Sequence, residues 1–135
     1  MTNGCFDLLH VGYVKYLQKS RQLGDVLVLG LNSDDSIRRL KGENRPLICE
    51  DERAHILAAL GCIDHVVIFD DDTPIELIKS IKPDVLAKGE DYVIEDVVGR
   101  DVVESYGGRV ELVRFEEGKS TTNIIKKILD QYGND

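Results

Sequence analysis

Hydrophobic and polar positions along the 135-residue chain fall into two alternating kinds of pattern. Short continuous apolar runs rich in Val, Ile and Leu predict strands that are buried on both faces, as in a parallel sheet. Four such runs are "DVLVLGL", "HVVIF", "DVLA" and "RVELV", at residues 25–31, 65–69, 84–87 and 109–113. A fifth, very short strand is predicted at residues 1–5.

Segments with helical periodicity lie between these runs. The first predicted helix covers about residues 10–23 and has Gly24 as its left-handed stop. A later helix is predicted to begin at Thr73-Pro74, with Thr73 as its N-cap and Pro74 in its first turn. The other predicted helices cover residues 50–60, 97–106 and 121–132. Strands that alternate with helices predict right-handed crossovers and a doubly wound parallel sheet, so the fold class is α/β.

Ligands in such folds bind beyond the carboxyl ends of the strands, where the strand order reverses. The loops expected there cover residues 3–12, 32–34, 39–46, 88–92 and 114–122. The segment "KGENRPLI", at residues 41–48, is expected to be a mobile loop. These loops are therefore the places in which to look for chemistry.

Composition and charge restrict the class of protein. A chain of 135 residues with 42% hydrophobic residues can bury one core, so we expect a single domain over residues 1–135. The formal net charge of −8 argues against a sequence-independent nucleic-acid binder, which needs a basic face. Any anionic ligand must therefore be held by a local group of donors.

The sequence has no apolar run of membrane-spanning length and no pattern typical of a signal peptide. Its three cysteines, Cys5, Cys49 and Cys62, lack the spacing of a zinc site and are odd in number, which favours free thiols. We therefore expect a cytoplasmic protein that contacts no membrane.

The start of the first predicted helix, within "FDLLHVGYVKYL", carries the strongest chemical signal. A helix N-terminus offers unpaired N–H groups and a partial positive charge, so an acidic protein can hold phosphate there. Gly12 would allow a close approach of phosphate, and His10 and Tyr13 would share one face of the helix. The alternative is that His10 only caps the helix and Tyr13 is only a packed aromatic residue.

The segment "EGKSTTNIIKKI" opens the last predicted helix and places Ser120, Thr121 and Thr122 at a second helix N-terminus. The alternative is a plain N-cap, for which one hydroxyl is enough. The segment is not a P-loop, because position 113 is valine where that motif requires glycine. A GxGxxG fingerprint is also absent from the sequence, which disfavours a dinucleotide-dependent redox enzyme.

The stretches "NGCFDLLHVGY", "RLKGENRP", "KGEDY" and "FEEGKSTTNIIKKI" together resemble the nucleotidyltransferases of the HxGH type, and among these the heptose 1-phosphate adenylyltransferases. The resemblance covers nearly the whole chain, with the motifs in the same order. It implies a Rossmann-like, five-stranded parallel sheet with strand order 3-2-1-4-5 and a homodimer.

The resemblance also implies a reaction, in which the 1-phosphate of a heptose attacks the α-phosphorus of ATP and releases pyrophosphate. Mg²⁺ would assist, bound mainly through the nucleotide phosphates. The implied catalytic residues are His10, Tyr13 and Lys41. The implied nucleotide- and phosphate-binding residues are Asn3, Gly4, Cys5, Phe6, Gly12, Lys88, Gly89, Asp91, Ser120, Thr121 and Thr122. The implied residues for the sugar phosphate are Asp7, Arg45 and Arg53, and no residue is assigned as a metal ligand.

One position departs from the family pattern, which has histidine where this chain has Tyr13. A tyrosine hydroxyl can donate a hydrogen bond, but it cannot carry the positive charge of an imidazolium. Two alternatives to the adenylyltransferase therefore stay open. They are a cytidylyltransferase or guanylyltransferase for another small phosphate, such as glycerol 3-phosphate, and a catalytically weak nucleotide-binding homologue.

Overall fold

Parallel strands and helices alternate along the chain in the computed structural model, which describes residues 1–116 and 118–133. The strands are β1 (Thr2–Gly4), β2 (Val28–Asn32), β3 (His65–Phe69), β4 (Val85–Gly89) and β5 (Arg109–Val113). The helices are α1 (Val11–Arg21), α2 (Asp34–Lys41), α3 (Glu50–Ala58), α4 (Ile75–Ile81), α5 (Arg100–Ser105) and α6 (Thr121–Tyr132). A short 3₁₀ turn covers Ile94–Asp96. The α/β class predicted from the sequence is confirmed.

The sheet is built from two ladders of parallel strands. One ladder has the order β1-β2-β3 and the other pairs β4 with β5. Met1 joins them, because its amine donates to the carbonyl oxygen of Val85 at 2.8 Å and its own carbonyl accepts from Ala87 N–H at 2.8 Å. This places the start of β1 beside β4, in agreement with the predicted order 3-2-1-4-5.

Apolar side chains cover both faces of the central part of the sheet, as the continuous apolar runs predicted. The predicted burial on both faces is wrong for the edge strands β3 and β5, which expose Ile68 and Leu112 at 38% and 37%. One buried cluster brings Leu29 and Leu31 of β2 together with Leu17 of α1 and Leu57 of α3. A second cluster contains Ile78 of α4 and Leu86 of β4, among others. None of the helices in the described part of the chain has the length and apolarity needed to cross a membrane.

Helix α2 is the one long element that the sequence pattern did not predict. Its sequence has only two large apolar residues, so hydrophobic periodicity gives little signal. The polar signals are present, because Ser33 caps the helix by accepting from Ser36 N–H at 3.1 Å, and Asp34 and Asp35 occupy the first turn. Lys41 is consequently the last residue of α2 and not part of a loop.

Three predicted helix ends are wrong. Pro74 and not Thr73 occupies the N-cap of α4, because its carbonyl accepts the first helical hydrogen bond, from Ile78 N–H at 2.9 Å. Gly24 is not a left-handed stop, since α1 ends at Arg21 and Gly24 does not have a positive φ. Helix α5 begins three residues later than predicted, at Arg100, because the chain turns at Gly99, where φ is +90°.

Candidate active site

A cleft of about 540 Å³ opens at the carboxyl ends of the strands. The residues predicted to bind substrates that line it are Asn3, Gly4, Cys5, Phe6, Tyr13, Lys41, Lys88, Gly89 and Asp91. A second cavity of similar volume lies at the opposite, amino ends of the strands, next to Met1, Val28 and Val85, and holds none of the predicted residues. Ligands of parallel α/β folds bind at the carboxyl ends, so the first cleft is the candidate active site.

His10 occupies the N-cap position of α1 without capping it, since its side chain accepts no hydrogen bond from the helix. Its ring stacks on the ring of Tyr13, with 3.9 Å between centroids and 28° between planes. Both ring nitrogens are buried and have no hydrogen-bond partner in the described chain. Burial, followed by the charge of Lys119, lowers the pKa of His10 below its usual 6.5. The interpretation of His10 as a capping residue is therefore wrong, and both of its ring nitrogens are without a hydrogen-bond partner among the described residues.

Tyr13 connects the two helix N-termini. Its ring packs edge-on against Phe6 and Phe115, with centroids 5.0 and 5.8 Å away. Its hydroxyl lies 3.4 Å from Oγ1 of Thr121, the first residue of α6. Burial raises the pKa of Tyr13 above its usual value, so the phenol stays protonated and remains a donor. Tyr13 is thus a packed aromatic residue, and its polar end also faces the second helix.

Gly12 is buried where α1 meets the segment before α6. A β-carbon at this position would lie 2.8 Å from Cβ of Lys119 and 3.0 Å from the ring of His10. Glycine is therefore required here for the close packing of these two segments. The approach of a phosphate to the amide of Gly12 stays a prediction.

The start of α6 is held by polar side chains. Ser120 is the N-cap and accepts from Asn123 N–H at 3.0 Å. Thr121 is buried, and its hydroxyl donates to Leu8 O over a long 3.5 Å. Thr122 is exposed and accepts from a guanidinium nitrogen of Arg45 at 3.4 Å. The three hydroxyls thus have separate partners, and only Ser120 acts as the cap.

Asp7 fixes the segment that follows α2. Its buried carboxylate accepts from the N–H groups of Leu47 and Ile48, each at 2.9 Å, and lies 3.7 Å from the guanidinium of Arg45. This arrangement accounts for Asp7 without a substrate. A contact between Asp7 and the sugar phosphate has no support in the geometry.

Arg53 is 1% exposed and is not among the residues that line the cleft. Its guanidinium donates to the carbonyl oxygens of Ile48, Cys5 and Asn32 at 2.8 Å each. It also forms an ion pair with Asp34 at 2.8 Å. All of these partners belong to the protein, so Arg53 fixes the loops and the predicted contact with the sugar phosphate has no support in the geometry.

Lys88 and its neighbours form the wall of the cleft at the end of β4. Lys88 is 7% exposed, donates to Oδ1 of Asn3 and lies 5.4 Å from the ring centroid of Tyr92. Burial lowers the pKa of Lys88 to about 8. A β-carbon on Gly89 would lie 2.5 Å from a carboxylate oxygen of Asp91, so a larger residue at this position would displace the end of the Asp91 side chain.

Several cleft residues were not predicted from the sequence. They are Tyr16, Asp72, Thr73, Pro74, Asp96 and Val98, whereas Asn32, Leu40, Tyr92 and Phe115 lie in loops that the sequence analysis expects to bind ligands. The rule that ligands bind at the carboxyl ends of strands could have found Asp72 to Pro74, since they follow β3, but the loop after β3 was omitted. Tyr16 could have been found from its spacing, one helical turn after Tyr13.

The described residues contain no assembled metal site. In residues 1–116 and 118–133, no three His, Cys, Asp or Glu side chains come together in an arrangement that could hold a metal ion. The cysteines Cys5, Cys49 and Cys62 are free.

Comparisons with known proteins agree with this geometry. A family model described as cytidylyltransferase-like matches residues 1–127. Two relatives, both named bifunctional protein HldE, come from Geobacter metallireducens and Syntrophotalea carbinolica. The first is 76% identical over 98% of this chain, and the second is 73% identical over 97% of it. This chain spans 27% of the length of each relative.

The crystal structure of the lipopolysaccharide core biosynthesis protein from Thermoplasma volcanium has a similar fold. Its TM-score is 0.70 at 28% identity, and the match covers 88% of this chain and 96% of that protein. Nearly all of the neighbour's chain therefore corresponds to the domain described above.

Proposed function

The chain belongs to the cytidylyltransferase-like family of nucleotidyltransferases, and we propose that it transfers AMP from ATP to a sugar 1-phosphate. The family indicated by the sequence motifs is confirmed. The identities of the base and of the acceptor are the proposal. The acceptor that the motifs favour is D-glycero-D-manno-heptose 1-phosphate, and the products would be ADP-heptose and pyrophosphate.

The observation that carries the proposal is the meeting of two helix N-termini beside the cleft. Thr121, the first residue of α6, lies 3.4 Å from the hydroxyl of Tyr13, which belongs to the first turn of α1 and lines the cleft, so the two helices begin close together. The start of a helix leaves backbone amides unpaired. His10 lies in the same region with both ring nitrogens unused. This arrangement supplies several donors to a polyphosphate despite the net charge of −8.

The chemistry needs positioned donors more than it needs a protein nucleophile. An oxygen of the sugar phosphate attacks the α-phosphorus, the bond from that phosphorus to the bridging oxygen breaks, and pyrophosphate leaves with the bonding electrons. In the proposal His10 donates to the oxygens that gain charge, and the amides at Gly12 support it. Ser120, Thr121 and Thr122 hold the β- and γ-phosphates.

Other residues complete the proposed site. Lys41, which lines the cleft at the end of α2, contributes a cation to the phosphates, and Arg45 could contribute a second after leaving Asp7. Lys88, Gly89 and Asp91 line the nucleotide side. Mg²⁺ would neutralise phosphate charge, and a hard cation of this kind would bind mainly to phosphate oxygens and water.

The choice of heptose rests on the motif resemblance. The structural neighbour is named as a lipopolysaccharide core biosynthesis protein, which supports a sugar-linked role.

The test is turnover with ATP, CTP and GTP against the α and β anomers of heptose 1-phosphate and against glycerol 3-phosphate, followed by pyrophosphate release. Release with ATP and heptose 1-phosphate alone supports the proposal. Release with CTP and glycerol 3-phosphate would replace it with the cytidylyltransferase. Tight ATP binding without release from any acceptor would favour the weak homologue, which Tyr13 keeps open.

The homodimer and the cytoplasmic location stay predictions. We expect a dimer because the resemblance implies self-association. Light scattering at working concentration measures the mass directly, and a mass near 15.1 kDa would contradict the dimer.

A further inference from the structure

Lys88 is a buried cation whose partners use only part of its hydrogen-bonding capacity. The side chain is 7% exposed and lines the cleft, yet its ammonium donates only to Oδ1 of Asn3 in the described chain. An ammonium carries three N–H donors, so two remain available. Lysine is rarely buried without a partner for its charge, which makes this residue a candidate for ligand binding.

The protein groups around Lys88 do not neutralise it. Asn3 of β1 is neutral, Tyr92 offers a ring face at 5.4 Å, and Tyr16 of α1 is protonated because burial raises its pKa to about 12. The charged residues that line the same cleft are Lys41, Asp72, Asp91 and Asp96. No salt bridge within 4.0 Å involves Lys88 in residues 1–116 and 118–133.

An uncompensated ammonium in a desolvated site is costly, and a bound anion would remove that cost. We propose that Lys88 binds a phosphate group in the cleft and takes up a proton from solvent when that group binds. The inference rests on the proposed function, because it requires that the cleft accept a phosphate compound. It adds a proton to the binding equilibrium, which the proposed function does not require.

The sign of the effect follows from the burial of Lys88. In the free protein burial lowers the pKa of Lys88 to about 8, so above this pH most molecules carry a neutral amine. A phosphate beside the amine raises that pKa, and protons are then taken up on binding. Affinity should be constant below the free pKa and should fall above it, by at most about tenfold per pH unit.

The phosphate could belong to the nucleotide or to the acceptor, since both must enter the same cleft. The two sources share the chemistry of a phosphoryl oxygen. Titrating ATP alone and heptose 1-phosphate alone separates them, because only the compound that reaches Lys88 will show the linked proton.

The experiment is isothermal titration calorimetry at pH 8.5 in two buffers of different ionisation enthalpy. From a free pKa of about 8 we expect Lys88 to take up roughly 0.7 proton per ligand bound. The variant Lys88→Arg keeps the positive charge but cannot lose it at this pH. It should lose the fall in affinity above about pH 8 that is due to Lys88, and at pH 8.5 it should take up roughly 0.7 proton fewer than the parent protein.

Subtracting the proton uptake of Lys88→Arg from that of the parent protein removes the protons exchanged by the ligand and by His10, because both proteins exchange them. His10 is included because burial lowers its pKa. Lys82→Arg is the matched control, because Lys82 also lies beside a tyrosine ring, 6.0 Å from that of Tyr106, but is exposed and outside the cleft. It should leave the uptake unchanged. Should Lys88→Arg not fold, side-chain NMR of the parent protein follows the Lys88 pKa directly, free and bound.

Each outcome decides between the proposals. Uptake that Lys88→Arg removes, or a Lys88 pKa that rises on binding, supports the inference. Binding of both compounds without uptake, or a Lys88 pKa that does not move, overturns it and leaves the proposed function standing. If neither compound binds at any pH, the proposed function fails and the inference fails with it.

Discussion

The segments that open α1 and α6, called here the α1 entrance and the α6 entrance, are both predicted to bind phosphate, yet their polar groups are held very differently. The loop before α1 is fixed by buried charges, with Arg53 donating to Cys5 O at 2.8 Å and Asp7 accepting two backbone N–H groups at 2.9 Å. At the start of α6 the contacts that reach other elements are long, at 3.4 to 3.5 Å, and involve Thr121 and Thr122.

We infer from this difference that the α1 entrance and the α6 entrance have different roles in the reaction. Groups that are already fixed can stabilise charge in a transition state without further ordering, and this is the requirement at the α-phosphate. Loosely held hydroxyls can exchange their long hydrogen bonds for shorter ones to a ligand. We therefore expect changes at the α1 entrance to affect folding and turnover, and changes at the α6 entrance to affect binding.

The largest expected effect is on folding. Arg53→Met removes one partner of a buried ion pair and leaves Asp34 and three carbonyl oxygens without their donor. Such a loss typically costs about 3–5 kcal/mol in the free energy of unfolding. Urea denaturation monitored by circular dichroism measures it.

Arg39→Met is the matched control for Arg53. Arg39 also forms a 2.8 Å ion pair, with Asp72, but both side chains are largely exposed. An exposed pair contributes about 0–1 kcal/mol, so the control should unfold near the parent midpoint. Equal losses in both variants would contradict the view that burial makes the α1 entrance rigid.

The next effect is on turnover. His10→Ala removes a donor whose contact should strengthen as charge builds on the α-phosphate, so kcat should fall by about 10²-fold or more while ATP affinity changes less. Steady-state kinetics with pyrophosphate detection and separate ATP titration measure the two quantities. Unchanged kcat would remove His10 from the mechanism, despite its two unused nitrogens.

His10 and Arg53 show which parts of the site could be predicted from the sequence. The bounds of β3, β5 and α6 agree with the structure because apolar periodicity determines them, whereas α2 was missed because its pattern depends on polar caps. His10 could be selected because a helix N-terminus is a local property. The partners of Arg53 could not be predicted. One of them, Cys5, lies 48 positions away, and the sequence around an arginine does not indicate which carbonyl groups it will contact in the fold.

Tyr13 joins the two entrances and gives the third prediction. Tyr13→Phe keeps the stacking on His10 and removes the hydroxyl, so kcat should fall. The free energy of unfolding should change by less than about 1 kcal/mol, the usual net contribution of one hydrogen bond. Tyr13→His restores the family pattern and should retain or raise kcat, with a new pH dependence below the usual imidazole pKa of about 6.5, because burial at this position disfavours the charged form. Two variants with parent kinetics would make Tyr13 a packing residue alone.

The smallest effect is expected at Thr121. Its hydroxyl makes only long contacts, 3.4 Å to Tyr13 and 3.5 Å to Leu8 O, so little stability depends on it. If it holds phosphate equally in the ground and transition states, Thr121→Ala should raise KM for ATP about fivefold, equivalent to about 1 kcal/mol, with kcat unchanged.

Ser120→Ala is the comparison for Thr121→Ala, because the proposal places both hydroxyls on the phosphates and only Ser120 also accepts the cap hydrogen bond from Asn123 N–H, at 3.0 Å. Loss of such a cap costs about 1 kcal/mol of stability, so Ser120→Ala should unfold earlier, whereas Thr121→Ala should not. Steady-state kinetics and urea denaturation separate the loss of phosphate binding, expected in both variants, from the loss of the cap, expected only in Ser120→Ala. A pure loss of kcat in Thr121→Ala would instead place transition-state stabilisation at the α6 entrance, and the division of work between the two helices would then be wrong.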